Sequence, residues 1–305
     1  MLERLQGRTA VITGAASGIG LALAQQLGAQ GMKLVLADIE EGALAGAAAG
    51  LKELGCEVVA VRTDVSDYGS VCELARRANE AFGHVHVLCN NAGVSFTGPI
   101  WELSLDDWRW VQDVNLWGVI HGIKAFVPAM IAHGEAGHII NTASLASFNG
   151  MGDHAAYCAS KAAVLSISQA LFSELRAWNT PLGVTVLCPG IVKTQVHRSW
   201  RNRPATDQSW SERESQDPAV RRTAEELRAT GELPETVAQA AIEAMRAGRF
   251  YAFAGEWRKY VRFGLEPVLN GENPPVLTWG TDLRPKEKAR SAGDIWRQLW
   301  SKLRS

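Results

Sequence analysis

Residues 9–30 constrain this chain more than any other stretch. Thr9-Ala-Val-Ile-Thr13 is a short apolar run, Gly14-Ala-Ala-Ser-Gly18-Ile-Gly20 follows it, and residues 21–30 carry apolar side chains at helical intervals. The pattern predicts strand, glycine turn and helix in direct succession. Glycines at 14, 18 and 20 let the backbone turn sharply and approach a pyrophosphate closely. The free amides and dipole of a helix start would favour that group's negative charge. A glycine pattern alone is weak, and the next element supplies its context. Lys33-Leu-Val-Leu-Ala37 reads as a second strand and ends at Asp38, eighteen residues after Gly20, where a carboxylate can bond the ribose hydroxyls of an adenosine. The same carboxylate would repel a 2′-phosphate, so the residues favour NAD over NADP.

Strand-like runs at 9–13, 33–37, 57–62, 85–89, 137–142, 183–188 and 249–254 alternate with helical segments. Such alternation implies an α/β fold, with a mostly parallel seven-stranded sheet, helices on both faces and a ligand crevice at the carboxyl ends of the strands. With 305 residues and 47% hydrophobic content the chain can bury a large core, and one main domain is expected over residues 1–255. A net charge of −1 gives no reason to expect nucleic acid as a partner. The five cysteines, Cys56, Cys72, Cys89, Cys158 and Cys188, are scattered without the close pairs that zinc or a redox couple would show. No metal is expected, and a reducing, cytoplasmic setting fits. The N-terminal residues also lack a long apolar signal core.

A proton-transfer site is legible further on. Tyr157 and Lys161 lie four apart in a run free of Pro and Gly, so both side chains share one helix face. Acting near neutral pH asks for roughly 4 kcal/mol in favour of the phenolate. An ammonium about 4 Å away is worth on the order of 4 kcal/mol at an effective dielectric of ~20, and a cofactor's positive charge would add to it. Ser144, just after the apolar run 138–142, can meet the tyrosine from the facing side. Asp153 and His154 lie close by and are read as surface hydrogen-bonding groups.

The spacings Gly-x-x-x-Gly-x-Gly and Tyr-x-x-x-Lys resemble the short-chain dehydrogenase/reductase family in its single-domain form, over roughly residues 5–255. The resemblance implies a Rossmann-type doubly wound fold. It implies that Asn115, Ser144, Tyr157 and Lys161 are catalytic, Asn115 linking the lysine through water to solvent. It also sets Gly14, Ser17, Gly18, Ile19, Gly20, Asp38, Asp64, Val65, Asn91, Ala92, Gly93, Tyr157, Lys161, Pro189, Gly190, Val192 and Thr194 against the dinucleotide. In that assignment Asp64 bonds the adenine amino group, the Asn90 to Gly93 segment supports the sheet and contacts the ribose, and the turn at Pro189 carries the nicotinamide carboxamide. The implied reaction is reversible hydride transfer between NAD and a secondary alcohol/ketone pair. The family's habit implies a homodimer or homotetramer, paired through the helix after Asn115 and the helix carrying Tyr157.

Residues 195–232 are polar and arginine-rich, as suits a substrate lid rather than a core, with Trp200 and Trp210 either folding over an apolar substrate or anchoring the lid. Eleven tryptophans and this long lid lean towards a bulky hydrophobic or aromatic substrate, although Trp108, Trp110 and Trp117 are read as structural. Residues 256–305 form a C-terminal extension, whose stretch 286–305 holds six Lys or Arg against two acidic residues around an apolar stripe. Packing on its own domain or on another subunit is preferred over contact with an anionic membrane surface. Two competing readings are an NADP-dependent carbonyl reductase and a nucleotide-binding regulator without catalysis.

Overall fold

The computed structural model of the chain describes residues 4–203, 225 and 229–275. Of the expected lid, the parts at 195–203, 225 and 229–232 are described. Trp210 and the rest of the lid, like the basic stretch 286–305, lie outside the described residues.

In chain order the elements are β1 (Thr9–Thr13), α1 (Gly18–Ala29), β2 (Lys33–Asp38), α2 (Glu41–Glu53), β3 (Val58–Arg62), α3 (Tyr68–Phe82), β4 (Val87–Asn90), α4 (Leu105–Gln112), α5 (Gly118–Ala132), β5 (Gly137–Thr142), α6 (Ala155–Ala177), β6 (Leu182–Leu187), α7 (Pro234–Arg246), β7 (Tyr251–Ala252) and α8 (Trp257–Asn270). Among the described residues the seven strands form one sheet of order β3-β2-β1-β4-β5-β6-β7, and every neighbouring pair is parallel. The sheet is therefore parallel throughout, where a mostly parallel one was expected. All residues of β1, β4 and β5 are buried, because helices cover both faces, and that is why these strands read as apolar runs rather than alternating ones. One core cluster joins Ile12, Leu23, Leu34 and Met245; another, around Val11, Val35, Leu74 and Phe126, packs under the helices that include α3 and α5.

The strand order reverses between β1 and β4, which opens a crevice at their carboxyl ends. Thr13 ties that point together: its hydroxyl accepts the amides of Asn91 and Ala92 at 3.0 and 3.1 Å, and Asn91 Nδ2 donates to the Thr13 carbonyl at 3.0 Å. β7 is shorter than the run at 249–254 suggests. It is an edge strand paired only with β6, and the chain leaves the sheet just beyond it at Gly255, where φ is +66°.

Residues 105–132 are helical throughout, with a π-helical turn at Asp113–Trp117 between α4 and α5. A capping box starts this run, Ser104 and Asp107 each bonding the other's backbone N–H. The stretch Leu105–Ala132 is long and apolar enough to cross a membrane by composition, yet Val111, Val119, Phe126 and Met130 are buried in the core.

Candidate active site

A cleft of about 1140 Å³ runs along the carboxyl rim of the sheet. Its first wall is the β1–α1 turn. Gly14 has φ +64°, and a Cβ there would stand 2.9 Å from Ala92 Cα; Gly18 has φ +55°. A Cβ on Gly20 would lie 2.1 Å from the Gly14 carbonyl oxygen, so this glycine lets the helix close on its own turn and sits behind the cleft surface. Ser17 stands at the N-cap of α1 without a side-chain capping bond, and the first turn holds no acidic residue. Unclaimed amides facing an open crevice suit an anion, and this cradle fits the pyrophosphate of a dinucleotide.

At the end of β2, Asp38 accepts the amides of Ala16 and Glu40, both at 3.0 Å. Those bonds fix the carboxylate at the rim while leaving acceptor capacity for hydroxyls. Asp64 is similarly braced, its Oδ1 accepting the Ser66 amide at 2.9 Å and the Ser66 hydroxyl at 2.6 Å. Asp38, Asp64, Val65, Asn91, Ala92, Gly93, Pro189, Gly190, Val192 and Thr194 line the cleft together with Gly14, Ser17, Gly18 and Ile19. A feature not foreseen lies beside Asp38. Arg201 and Asn202, from the lid segment, reach across to Glu40 at 2.6 and 3.0 Å, and the guanidinium holds the Glu40 carboxyl below the usual range.

Ser144, Tyr157 and Lys161 meet in the middle of the cleft. The Ser144 hydroxyl accepts the Ala146 amide at 3.1 Å, lies 3.4 Å from the Pro189 carbonyl oxygen, and hydrogen-bonds the Tyr157 phenol. Lys161 is almost wholly buried, and its Nζ donates to the Thr142 carbonyl at 2.8 Å, 5.8 Å from the centre of the Tyr157 ring. The tyrosine ring is half-buried and lines the cleft. Enclosure pushes its pKa up, and the Ser144 bond pulls it part of the way back. Burial lowers Lys161 to about 8. Burial is the largest cause for both groups, and the Lys161 Nζ is also engaged by the Thr142 carbonyl.

Asn115 does not line the cleft. It lies fully buried in the π-helical turn, where its Oδ1 accepts the Val94 amide at 2.8 Å and its Nδ2 donates to the Val94 carbonyl at 2.9 Å and to Ser160 Oγ at 3.0 Å. Gly93 separates it from the lysine: a Cβ there would be 3.3 Å from Asn115 Oδ1 and 3.4 Å from Lys161 Nζ. Ser160, which bonds Asn115, was not singled out from the sequence, having no signal beyond its place next to Lys161.

The remaining walls bring further corrections. His154 is not a surface group but is buried just before α6 and lines the cleft, with burial lowering its pKa. Trp200 is not among the lining residues, whereas Trp110 and Trp257 are. Trp257, Lys259 and Tyr260 belong to α8, which packs against the loop after Ser144. Asn149 Nδ2 donates to the Tyr260 carbonyl at 2.9 Å, and Trp257 stacks on Phe253 with ring centres 4.0 Å apart. The next residue after Asn202, Arg203, pins the lid segment from another side: its guanidinium meets the buried Asp107 carboxylate at 2.6 Å and lies over the rings of Phe96 and Trp110.

Comparison with known proteins agrees with this geometry. The family model described as short chain dehydrogenase matches residues 8–205. The 1-deoxy-11-beta-hydroxypentalenate dehydrogenase of Streptomyces avermitilis is 43% identical over 196 residues, 64% of this chain and 72% of that protein. The C alpha-dehydrogenase of a Sphingobium species is 36% identical over 205 residues, 67% of each. Among solved structures, a short chain dehydrogenase/reductase from Burkholderia phymatum in complex with NAD superposes with a TM-score of 0.81 at 40% identity, covering 89% of this chain and 98% of that one.

Proposed function

This chain belongs to the short-chain dehydrogenase/reductase family and is an NAD(P)-dependent oxidoreductase, and from that premise we propose that it interconverts a secondary alcohol and a ketone using NAD. The observation that carries the reading is the convergence of Ser144, Tyr157 and Lys161 in the same cleft that has Asp38 and the α1 turn along its wall. In this reading Gly14, Ser17, Gly18, Ile19, Asp64, Val65, Asn91, Ala92, Gly93, Pro189, Gly190, Val192 and Thr194 hold the cofactor, with Gly20 shaping the turn from behind. Bound NAD supplies a hydride acceptor and a positively charged ring.

The chain's own residues handle the proton. Ser144, oriented by the Ala146 amide, holds the substrate oxygen beside the phenol. Tyr157 takes the alcohol proton during oxidation and returns one during reduction. The Lys161 ammonium, 5.8 Å from the centre of the Tyr157 ring, favours the phenolate, and the cofactor's positive charge adds to it in the loaded cleft. Asn115 keeps Val94 and Ser160 in register around the lysine rather than touching substrate.

NAD rather than NADP is favoured by the Asp38 carboxylate on the rim and by Arg201, the nearby lid cation, being committed to Glu40. A bulky hydrophobic or aromatic substrate is favoured by Val94, Trp110, Leu145, Met151, Trp257 and Tyr260 around the reacting end. The contribution of α8 to that wall supports residues 256–305 as an extension packed on the catalytic domain of residues 1–255, with 195–232 as its lid. A cytoplasmic homodimer or homotetramer paired through α5 and α6 completes the reading; Trp117 just before α5 and Trp178 just after α6, 48% and 78% exposed, leave apolar surface at the ends of these helices for a partner subunit. The test is a panel of secondary alcohols, aliphatic and aromatic, with NAD or NADP at alkaline pH, followed by absorbance of the reduced cofactor. Turnover of aromatic or bulky members with NAD is expected; a strict demand for NADP, or no turnover across the panel, would overturn the proposal.

A further inference from the structure

The lid segment brings a cation to the cleft rim at the end of β2. Arg201 Nη2 donates to Glu40 Oε1 at 2.6 Å, and Asn202 Nδ2 donates to the same oxygen at 3.0 Å. Glu40 stands two residues after Asp38, and its amide donates to the Asp38 carboxylate at 3.0 Å. Asp38, Glu40 and Arg201 all line the cleft. Two carboxylates and one guanidinium therefore share the part of the rim assigned to the adenosine ribose. The charge of Arg198 acts on Glu40 as well.

The arginine is held by more than its carboxylate. Its Nη1 donates to the backbone carbonyls of Arg198 and Gln195 at 2.8 and 3.2 Å, so the lid's own backbone keeps the guanidinium in place independently of Glu40. Glu40, for its part, stands just before α2 and makes no side-chain capping bond to it. The Arg201 and Glu40 side chains are 27% and 29% exposed, and an ion pair so far withdrawn from water is screened less than a fully solvated one. Loss of the Glu40 carboxylate would leave the guanidinium at the rim and the start of α2 with all its bonds.

Resting on the reading of this cleft as a dinucleotide site, we propose that Arg201 is a latent ligand for a 2′-phosphate and that Glu40 withholds it, so that the preference for NAD is set by Glu40 as well as by Asp38. A guanidinium offers a planar fork of N–H donors that matches phosphate oxygens. Paired with Glu40, its charge is matched and its Nη2 is engaged, and a phosphorylated ribose meets the uncompensated charge of Asp38. Without Glu40, the guanidinium balances Asp38 and has donors to offer. Glu40 acts through Arg201 and touches no reacting group, so it is a positioning residue for cofactor choice.

The experiment is calorimetry on the full-length protein with adenosine 5′-monophosphate and adenosine 2′,5′-bisphosphate, two probes that differ only in the 2′-phosphate, with kcat/KM for NAD and NADP followed in parallel. In Glu40→Ala the affinity for the bisphosphate relative to the monophosphate should rise at least tenfold over wild type. Glu40→Gln, which keeps the shape of the side chain, should move it in the same direction, and the ratio of kcat/KM with NADP to that with NAD should follow in both. Adding Arg201→Ala to Glu40→Ala should abolish the gain. A relative affinity that moves in neither Glu40 variant would overturn the proposal while leaving the dinucleotide site standing. So would a gain that survives the loss of Arg201, because Glu40 would then act by its own charge or through Arg198. Failure of wild type to bind either nucleotide would overturn the dinucleotide site and the proposal with it.

Discussion

Replacing Lys161 with Met separates the requirements of the site from those of the fold. The lysine is buried, its Nζ has the Thr142 carbonyl as partner, and its pKa is lowered from 10.5 to about 8. Below pH 8 both the folded and the unfolded chain hold this proton, so the full cost of burying the charge applies, roughly 3 kcal/mol for a drop of that size. Between pH 8 and 10.5 the folded chain releases the proton first and the cost fades. Methionine has a similar shape and no charge, but leaves the Thr142 carbonyl unpaired at a loss of about 1 kcal/mol. Lys161→Met should therefore be more stable than wild type by roughly 2 kcal/mol at pH 7, with the advantage gone by about pH 10, while turnover is lost. Urea unfolding at the two pH values measures this. A variant less stable than wild type at pH 7, or an advantage that persists undiminished at pH 10, would refute the reasoning.

Asp38→Asn removes the charge that opposes a 2′-phosphate, and the ratio of kcat/KM with NAD to that with NADP should fall at least tenfold, on the order of 1.4 kcal/mol; an unchanged ratio would move cofactor choice elsewhere. Arg203→Ala leaves the Asp107 carboxylate, which has no exposed surface, without its 2.6 Å cation, and should cost about 3–5 kcal/mol in unfolding experiments. A loss below about 1 kcal/mol would mean that the carboxylate is reached by water or protonated.

The strand positions and the glycine turn were legible because each rests on a local constraint. Buried parallel strands must be apolar on both faces, and Gly14, Gly18 and Gly20 stand where a Cβ or a negative φ would not fit. Ser144, Tyr157 and Lys161 were legible because helix spacing and a strand end determine their meeting. What the sequence hid depends on contacts between distant segments. Lys161 is held by the carbonyl of Thr142, and no side chain advertises that acceptor. Nothing in the local sequence pairs Asp107 with Arg203, which meets it from a distant segment, and His154, read as a surface group beside Asp153, is buried in the folded chain. The rise in the Tyr157 pKa has the same origin, since desolvation belongs to the assembled cleft and not to the residue's neighbours in sequence.

Alcohol oxidation in this cleft turns on a single oxygen atom, the hydroxyl of Tyr157, which is tested by turnover and NADH binding in Tyr157→Phe, side by side with wild type. NADH affinity should stay within a few-fold of wild type while alcohol oxidation falls to background. Oxidation that continues at a rate near that of wild type would contradict it, because the proton would then be leaving by another route.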